Sequence, residues 1–349
     1  MKKADLAEVK KILVIRPGAI GDVLLTTPFI RALKKALPGA VIDYAVRPFA
    51  AHVLEGNPGI NSIKFIEKKG FFPDLKFYRE IAREKYDLVF DLFGNLRTAL
   101  IAFFSGARYK TGFNFRFRKY FYNIKVAPHP KARYNVYFHM QLLDALGIKQ
   151  DGPDTEIFIR EKDEKKSREF IGRLKAEYTG PVVGLNPAGT WYTKKWPEKS
   201  YARLGDMVLE KYPDACVVVL WGPGEKETAL NIAAYAEKKE SFFPVPETSL
   251  REMAAIIRDL DVLVTNDGAG KHLAAAVKTP AVTIYGPTDH ISWNPEDEDR
   301  YPVVISREPC APCDKVACGN FICMQGIEPR EVMEKTENIL KQEVLYAGD

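Results

Sequence analysis

"KILVIRPGAIGDVLLTTPFIRALKKALPGAVIDYAV", residues 11–46, holds a complete structural unit. The apolar run 11–15 has the length and β-branched content of a buried strand. It breaks at Pro17 and Gly18. Phe29, Ile30, Leu33 and Leu37 then recur at helical spacing, and that helix is expected to stop before Pro38 and Gly39. A second apolar run, 41–46, follows. Strands of near-continuous Val and Ile separated by helices belong to parallel sheets covered on both faces.

The pattern continues along the chain. Runs at 87–92, 181–185, 215–221, 261–265 and 281–285 read as further strands, and Met253, Ala254, Ile256, Ile257 and Leu260 mark another helix. "VVGLNPAGT…KYPDACVVVLWG" (182–222) rhymes with the opening unit. The polar stretch "IREKDEKKSREF" (159–170) between the halves reads as a surface helix near a boundary. A length of 349 residues also exceeds one ordinary core. The expectation is an α/β protein of two doubly wound domains, 1–170 and 171–329, facing across a cleft, with ligands at the carboxyl ends of the strands.

Composition narrows the class. A net charge of +5 does not by itself suggest nucleic-acid binding. No apolar run approaches the roughly 20 residues of a transmembrane helix, and "MKKADLAEVKK" is charged with no signal-like core behind it. A cytoplasmic chain with neither a nucleic-acid partner nor a transmembrane segment is expected. Five cysteines, an odd number, argue against a disulfide scaffold.

The turns after the strands carry the candidate chemistry. Asp22, just past Gly18 and Gly21, reads either as a helix cap or as a carboxylate at the mouth of a cleft. The turn lacks G-x-G-x-x-G, which disfavours a dinucleotide-binding dehydrogenase. In "TNDGAGKHLAAAV" (265–277), Gly268, Ala269 and Gly270 offer backbone N–H groups at a helix start, an anion site strengthened by the helix dipole. Lys271 and His272 add donors there, and Asp267 alternatively caps a plain turn. "GTWYTKKWPEKSY" (189–201) presents Thr190, Thr193, Lys194 and Lys195 either as a diphosphate clamp or as a solvated loop. Glu225, after a Gly-Pro-Gly turn, suits a ribose hydroxyl pair or a helix N-terminus. "GFNFRFRKYFYNIKV" (112–126) interleaves Arg116, Arg118 and Lys119 with aromatics. It fits either a grip on an anionic, lipid-borne acceptor or a strand pair with its bases outward. Cys310, Cys313, Cys318 and Cys323 form C-x2-C-x4-C-x4-C, either a zinc cluster or reduced thiols in a loop.

Four stretches in this order resemble the lipopolysaccharide heptosyltransferases of glycosyltransferase family 9: 12–40, "YDLVFDLFGNLRTAL" (86–100), "TNDGAGKHLAAAVKTPAVTIYGPTD" (265–289) and "PCAPCDKVACGNFICM" (309–324). The resemblance spans nearly the whole chain. It implies a GT-B fold of two Rossmann-like domains, the first holding the acceptor and the second ADP-L-glycero-D-manno-heptose. A final helix (330–349) packs back on the first domain in similar folds. It implies inversion at the anomeric carbon with no metal and no cofactor, and Asp22 as general base. Lys194, Lys195 and Thr190 fall at the diphosphate, Glu225 at the ribose, and Asp267, Gly268, Ala269, Gly270 and His272 around the phosphates. Arg97 falls to the acceptor, beside the acceptor candidates Gly21, Arg116, Arg118 and Lys119 read from the residues themselves. The partner implied is a lipid A-core acceptor at the inner face of the cytoplasmic membrane. The chain departs from the family where a hydroxyl residue usually follows the aspartate and an uncharged residue usually holds position 271.

Overall fold

The computed structural model describes residues 5–67, 75–129 and 133–346, and the chain divides into two units, 1–158 and 159–349. In the first, strands β1 (Lys11–Ile15), β2 (Val41–Val46), β3 (Ser62–Phe65), β4 (Leu88–Asp91), β5 (Tyr109–Phe113) and β6 (Ile124–Val126) form one parallel sheet in the order β3-β2-β1-β4-β5-β6. In the second, β7 (Val182–Asn186), β8 (Cys216–Val219), β9 (Phe242–Pro244), β10 (Val262–Asn266), β11 (Ala281–Tyr285) and β12 (Val303–Ile305) are parallel in the order β12-β11-β10-β7-β8-β9. Counted from its own first strand, each sheet has the order 3-2-1-4-5-6 or its mirror listing, 6-5-4-1-2-3, so the rhyme between the halves is one topology used twice. In each, the strand order reverses between the first and fourth strands, β1/β4 and β7/β10. The carboxyl ends there open a crevice in which such sheets bind ligands.

Burial explains why these strands form. Ile12, Leu13, Val14 and Ile15 are fully buried, as are Val183, Leu185, Val217, Val219, Val262, Val264, Val282 and Ile284. Each such side chain contributes roughly 1.5–3 kcal/mol when removed from water. The helix Thr27–Ala36 covers the first sheet, with Phe29 edge-on to Phe90 of β4 at 5.0 Å.

One placement differs from the sequence reading. The polar helix, Glu161–Glu177, belongs to the second unit, so the division falls at 158/159 and not at 170. Its Ser167 donates to Asp259 at 2.6 Å, and Asp163 pairs with Arg251 at 3.1 Å. In the C-terminal helix Pro329–Tyr346, Val332, Met333, Ile339 and Leu340 join the second unit's core. Residues 347–349 of the expected 330–349 helix lie outside the described residues. Among the described residues no helix is long and apolar enough to cross a membrane.

Candidate functional site

In the first unit, the carboxyl ends of β1 and β4 gather Arg16, Asp22, Phe93 and Asp91. The chain turns over Gly18 so closely that a Cβ there would stand 2.6 Å from the Asp22 Cβ, a contact no side chain tolerates. Asp22 accepts the Ala19 N–H at 3.1 Å, which caps the short helix Ile20–Leu24. Its other oxygen lies 3.2 Å from the Arg16 guanidinium, and the side chain stays 22% exposed. Asp22 thus caps the helix, and its side chain stays partly exposed to solvent. The guanidinium of Arg16 also lies over the Phe93 ring at 4.9 Å.

Asp91, fully buried at the end of β4, fixes the loop that carries Phe93. It accepts Tyr122 O–H at 2.6 Å, Gly94 N–H at 2.9 Å and Phe93 N–H at 3.0 Å. Burial raises its carboxyl above the usual range, against the pull of these bonds. His139, buried on the helix Asn135–Asp144, is kept neutral, first by burial and then by the charge of Arg16.

The remaining acceptor candidates are not gathered at Asp22. Gly21 sits in the same short helix as Asp22. Arg97 donates to the Glu67 carbonyl in the wall of a cavity of about 500 Å³. Residues 112–126 do not form a strand pair throughout: Arg116–Phe121 is a 3-10 helix between β5 and β6. Phe113 and Tyr122 point inward, while Phe117 and Tyr120 are 55% and 73% exposed. Arg118 lies over Phe115 and Lys119 over Tyr120. Among the described residues, no hydrogen bond or ion pair joins Arg97, Arg116, Arg118 or Lys119 to Asp22.

In the second unit, the carboxyl ends of β7 and β10 hold a denser cluster. Asn266 at the end of β10 accepts Trp196 N–H and Tyr201 O–H, each at 3.0 Å, and donates to the Pro187 carbonyl at 2.8 Å. It bolts the lysine-bearing loop 187–196 to the sheet. Lys194, in a short 3-10 turn, reaches Asp267 Oδ2 at 2.6 Å. Thr288 donates to the same oxygen at 2.7 Å. Lys271, third residue of the helix Ala269–Val277, pairs with Asp267 Oδ1 and lies 2.6 Å from the Tyr285 hydroxyl; it is only 1% exposed. Burial opposes the ionisation of Asp267, but Lys271 and Lys194 outweigh it and hold the carboxyl below its usual range. Burial in turn lowers Lys271 to about 8, against the pull of Asp267. His272 is buried and kept neutral by burial, then by Lys271.

Lys195 pairs with Glu225 at 3.1 Å, and Glu225 also accepts the Gly189 N–H at 3.1 Å, so this pair braces the same loop. Thr190 is exposed, whereas Thr193 is buried and donates to the Lys315 carbonyl at 2.9 Å. Gly268 caps the helix of Ala269 and Gly270 in an extended conformation. At Gly270 a Cβ would come 1.7 Å from Asn186 Nδ2. Gly270→Ala is therefore expected to lower stability by about 1–3 kcal/mol, the usual cost of overpacking. An unchanged urea midpoint would remove the steric reason for this glycine.

The four clustered cysteines are free thiols, with Cys310 exposed and Cys323 buried. Backbone N–H groups of Phe321 and Asn320 lower Cys318, whereas burial raises Cys323. Among the described residues no three His, Cys, Asp or Glu side chains converge as metal ligands. The loop braces its neighbours: Tyr192 O–H donates to the Cys318 carbonyl at 2.6 Å and Cys313 N–H to the Pro287 carbonyl at 2.8 Å.

Sequence reasoning left out Arg16, Thr288 and Tyr285. Arg16 follows β1 directly, and its position at a strand's carboxyl end was the available signal. Thr288 and Tyr285 reach Asp267 and Lys271 only through the fold.

The chain is similar to known proteins in both sequence and fold. The sequence model of glycosyltransferase family 9 (heptosyltransferase) matches residues 75–320. Lipopolysaccharide heptosyltransferase 3 of Escherichia coli K12 is 29% identical over 290 residues, 80% of this chain and 83% of that protein. The crystal structure of a family 9 glycosyltransferase from Veillonella parvula superposes with a TM-score of 0.82 at 26% identity, covering 95% of this chain and 97% of that one. E. coli heptosyltransferase WaaC, solved with ADP-2-deoxy-2-fluoro heptose, shares the fold at a TM-score of 0.68 and 21% identity, covering 90% and 98%.

Proposed function

The chain belongs to glycosyltransferase family 9, the heptosyltransferases of lipopolysaccharide core synthesis, and from that premise we propose that it moves L-glycero-D-manno-heptose from ADP-heptose to Kdo or heptose of the inner core, with inversion. The observation that carries this reading is the second unit's cluster. At one topological switch point it combines a partly exposed lysine, Lys194, with the N-terminal N–H groups of Gly268, Ala269 and Gly270. That is the chemistry a diphosphate needs. WaaC, of the same fold, binds an ADP-heptose analogue. Glu225 and Lys195 would meet the ribose side, with Thr190 and His272 beside the phosphates.

In the proposed reaction the Asp22 carboxylate takes the proton of the acceptor hydroxyl. The freed oxygen bonds to the anomeric carbon as the bond to the diphosphate breaks on the opposite face. ADP leaves with its new charge against Lys194 and the helix N-terminus. The first unit, 1–158, would hold the acceptor, with Gly21, Arg97, Arg116, Arg118 and Lys119 as its candidate contacts. The acceptor is lipid-borne at the inner face of the cytoplasmic membrane. The exposed Phe117 and Tyr120 beside Lys119 suit peripheral contact with that surface.

Incubation with ADP-heptose and Kdo-bearing lipid A tests the reading. Release of ADP with a mass gain of one heptose on the lipid is the expected result. Transfer only from a UDP- or GDP-sugar would replace the donor. Conversion of a sugar nucleotide without acceptor would make the protein an epimerase.

A further inference from the structure

Asp267 carries two lysines where one would neutralise it. The two differ in every physical respect. Lys194 is 18% exposed, comes from a short turn and has its ammonium 4.4 Å from the Trp191 ring centroid. Lys271 is 1% exposed, rises from a helix and is fixed between Asp267 and the Tyr285 hydroxyl. Tyr285 in turn lies 3.5 Å from Asn294 Oδ1. Lys194 has a route to solvent and to an incoming anion, whereas Lys271 has none.

A buried carboxylate stripped of its counter-ion is strongly disfavoured. If Lys194 were the sole partner of Asp267, drawing it onto a diphosphate would expose that cost at each binding event. With Lys271 in place the carboxylate stays compensated throughout.

We propose that Lys271 is the resident counter-ion of Asp267, which frees Lys194 to move onto the donor's diphosphate. Lys271 is thus a positioning residue that never touches the phosphates. This rests on the reading of the Lys194 loop as a diphosphate site. It also gives position 271 a role distinct from supplying the phosphate contact that the missing hydroxyl after Asp267 would make.

A proton signature follows. The charged or titratable groups facing Lys271 are Asp267, Lys194, the Tyr285 hydroxyl and neutral His272. Burial and Lys194 lower Lys271, to about 8, against the pull of Asp267. When Lys194 leaves for the diphosphate and an anion arrives, the Lys271 ammonium becomes easier to form. Binding then takes up as much as about half a proton at pH 8. The phosphates of ADP are already ionised there, so they do not contribute.

The experiment is calorimetric titration with ADP, UDP and GDP at pH 8 in two buffers of different ionisation enthalpy, on wild type, Lys271→Met, Tyr285→Phe and Lys194→Met. Wild type is expected to bind with proton uptake. Lys271→Met is expected to bind about 10-fold or more weakly, within the usual range of coupling energies, and without the uptake. Tyr285→Phe, which leaves the charges in place, should shift both in the same direction by less. Lys194→Met should lose affinity outright. Wild-type affinity and uptake in Lys271→Met would overturn the inference. So would retained binding in Lys194→Met beside lost binding in Lys271→Met, because Lys271 would then be the phosphate ligand. Preference for UDP or GDP with the Lys271 effect intact would remove the ADP donor and leave the counter-ion role standing. Failure of wild type to bind any of the three overturns both.

Discussion

Asp22→Asn is expected to lower turnover by roughly 10²–10⁴-fold, the usual contribution of a general base, while leaving the fold and nucleotide affinity unchanged. The fold survives because the amide oxygen of Asn still accepts the Ala19 N–H that closes the short helix. The lost partner of Arg16 costs little, since Asp22 is 22% exposed and such pairs contribute about 0–1 kcal/mol. The Arg16 guanidinium also keeps its contact with Phe93. Turnover falls because an amide cannot take the acceptor's proton. The check is single-turnover transfer with donor and acceptor both saturating, next to ADP titration and thermal unfolding. Near-wild-type transfer would return Asp22 to the role of cap alone. A drop in unfolding temperature large enough to explain the loss would mean that the Arg16 pair, not the proton, matters.

Much of this arrangement is legible in the sequence, and the reason is burial. The strands read from apolar runs are β1, β2, β4, β7, β8, β10 and β11, which lie toward the middle of their sheets and hold Val and Ile on both faces. Those not marked by an apolar run are β3, β6, β9 and β12 at the sheet edges, and β5 next to one. "SIKF" and "IKV" carry a lysine because an edge strand has one side in solvent, so the unbroken apolar run that marks a buried strand is absent. The site divides in the same way. Asp22, Lys194 and Asp267 stand in the segments that follow β1, β7 and β10, where position alone marks them. The pairing of Lys271 with Tyr285 is invisible in sequence, because a lysine in the first turn of a helix ordinarily faces water. Here the helix packs Gly270 against Asn186 and turns the next side chain inward. The split at 158 also escapes a reading by polarity: the charged helix Glu161–Glu177 hides Ser167, Ile171 and Leu174 on its inner face.

Asp267→Asn is expected to destabilise the protein by about 3–5 kcal/mol at pH 6, the cost of removing one member of a buried ion pair. Lys194 relocates to solvent at small cost, but Lys271 is left charged with only the Tyr285 hydroxyl and the new amide. The pH dependence has a definite sign. A lysine depressed in the folded state penalises folding fully below its folded pKa, and the penalty is relieved as pH rises toward the unfolded value of about 10.4. In wild type that relief begins near the Lys271 value of about 8. Without Asp267, whose charge raises Lys271, it begins at lower pH. The stability gap between the two proteins should therefore shrink as pH rises from 6 to 9. Urea unfolding at both pH values measures it. A gap that is large and constant would place the cost in lost hydrogen bonds, such as that from Thr288, and not in the stranded ammonium. A gap near zero at pH 6 would mean that Lys271 escapes to water when its partner is removed, and that its burial depends on the carboxylate.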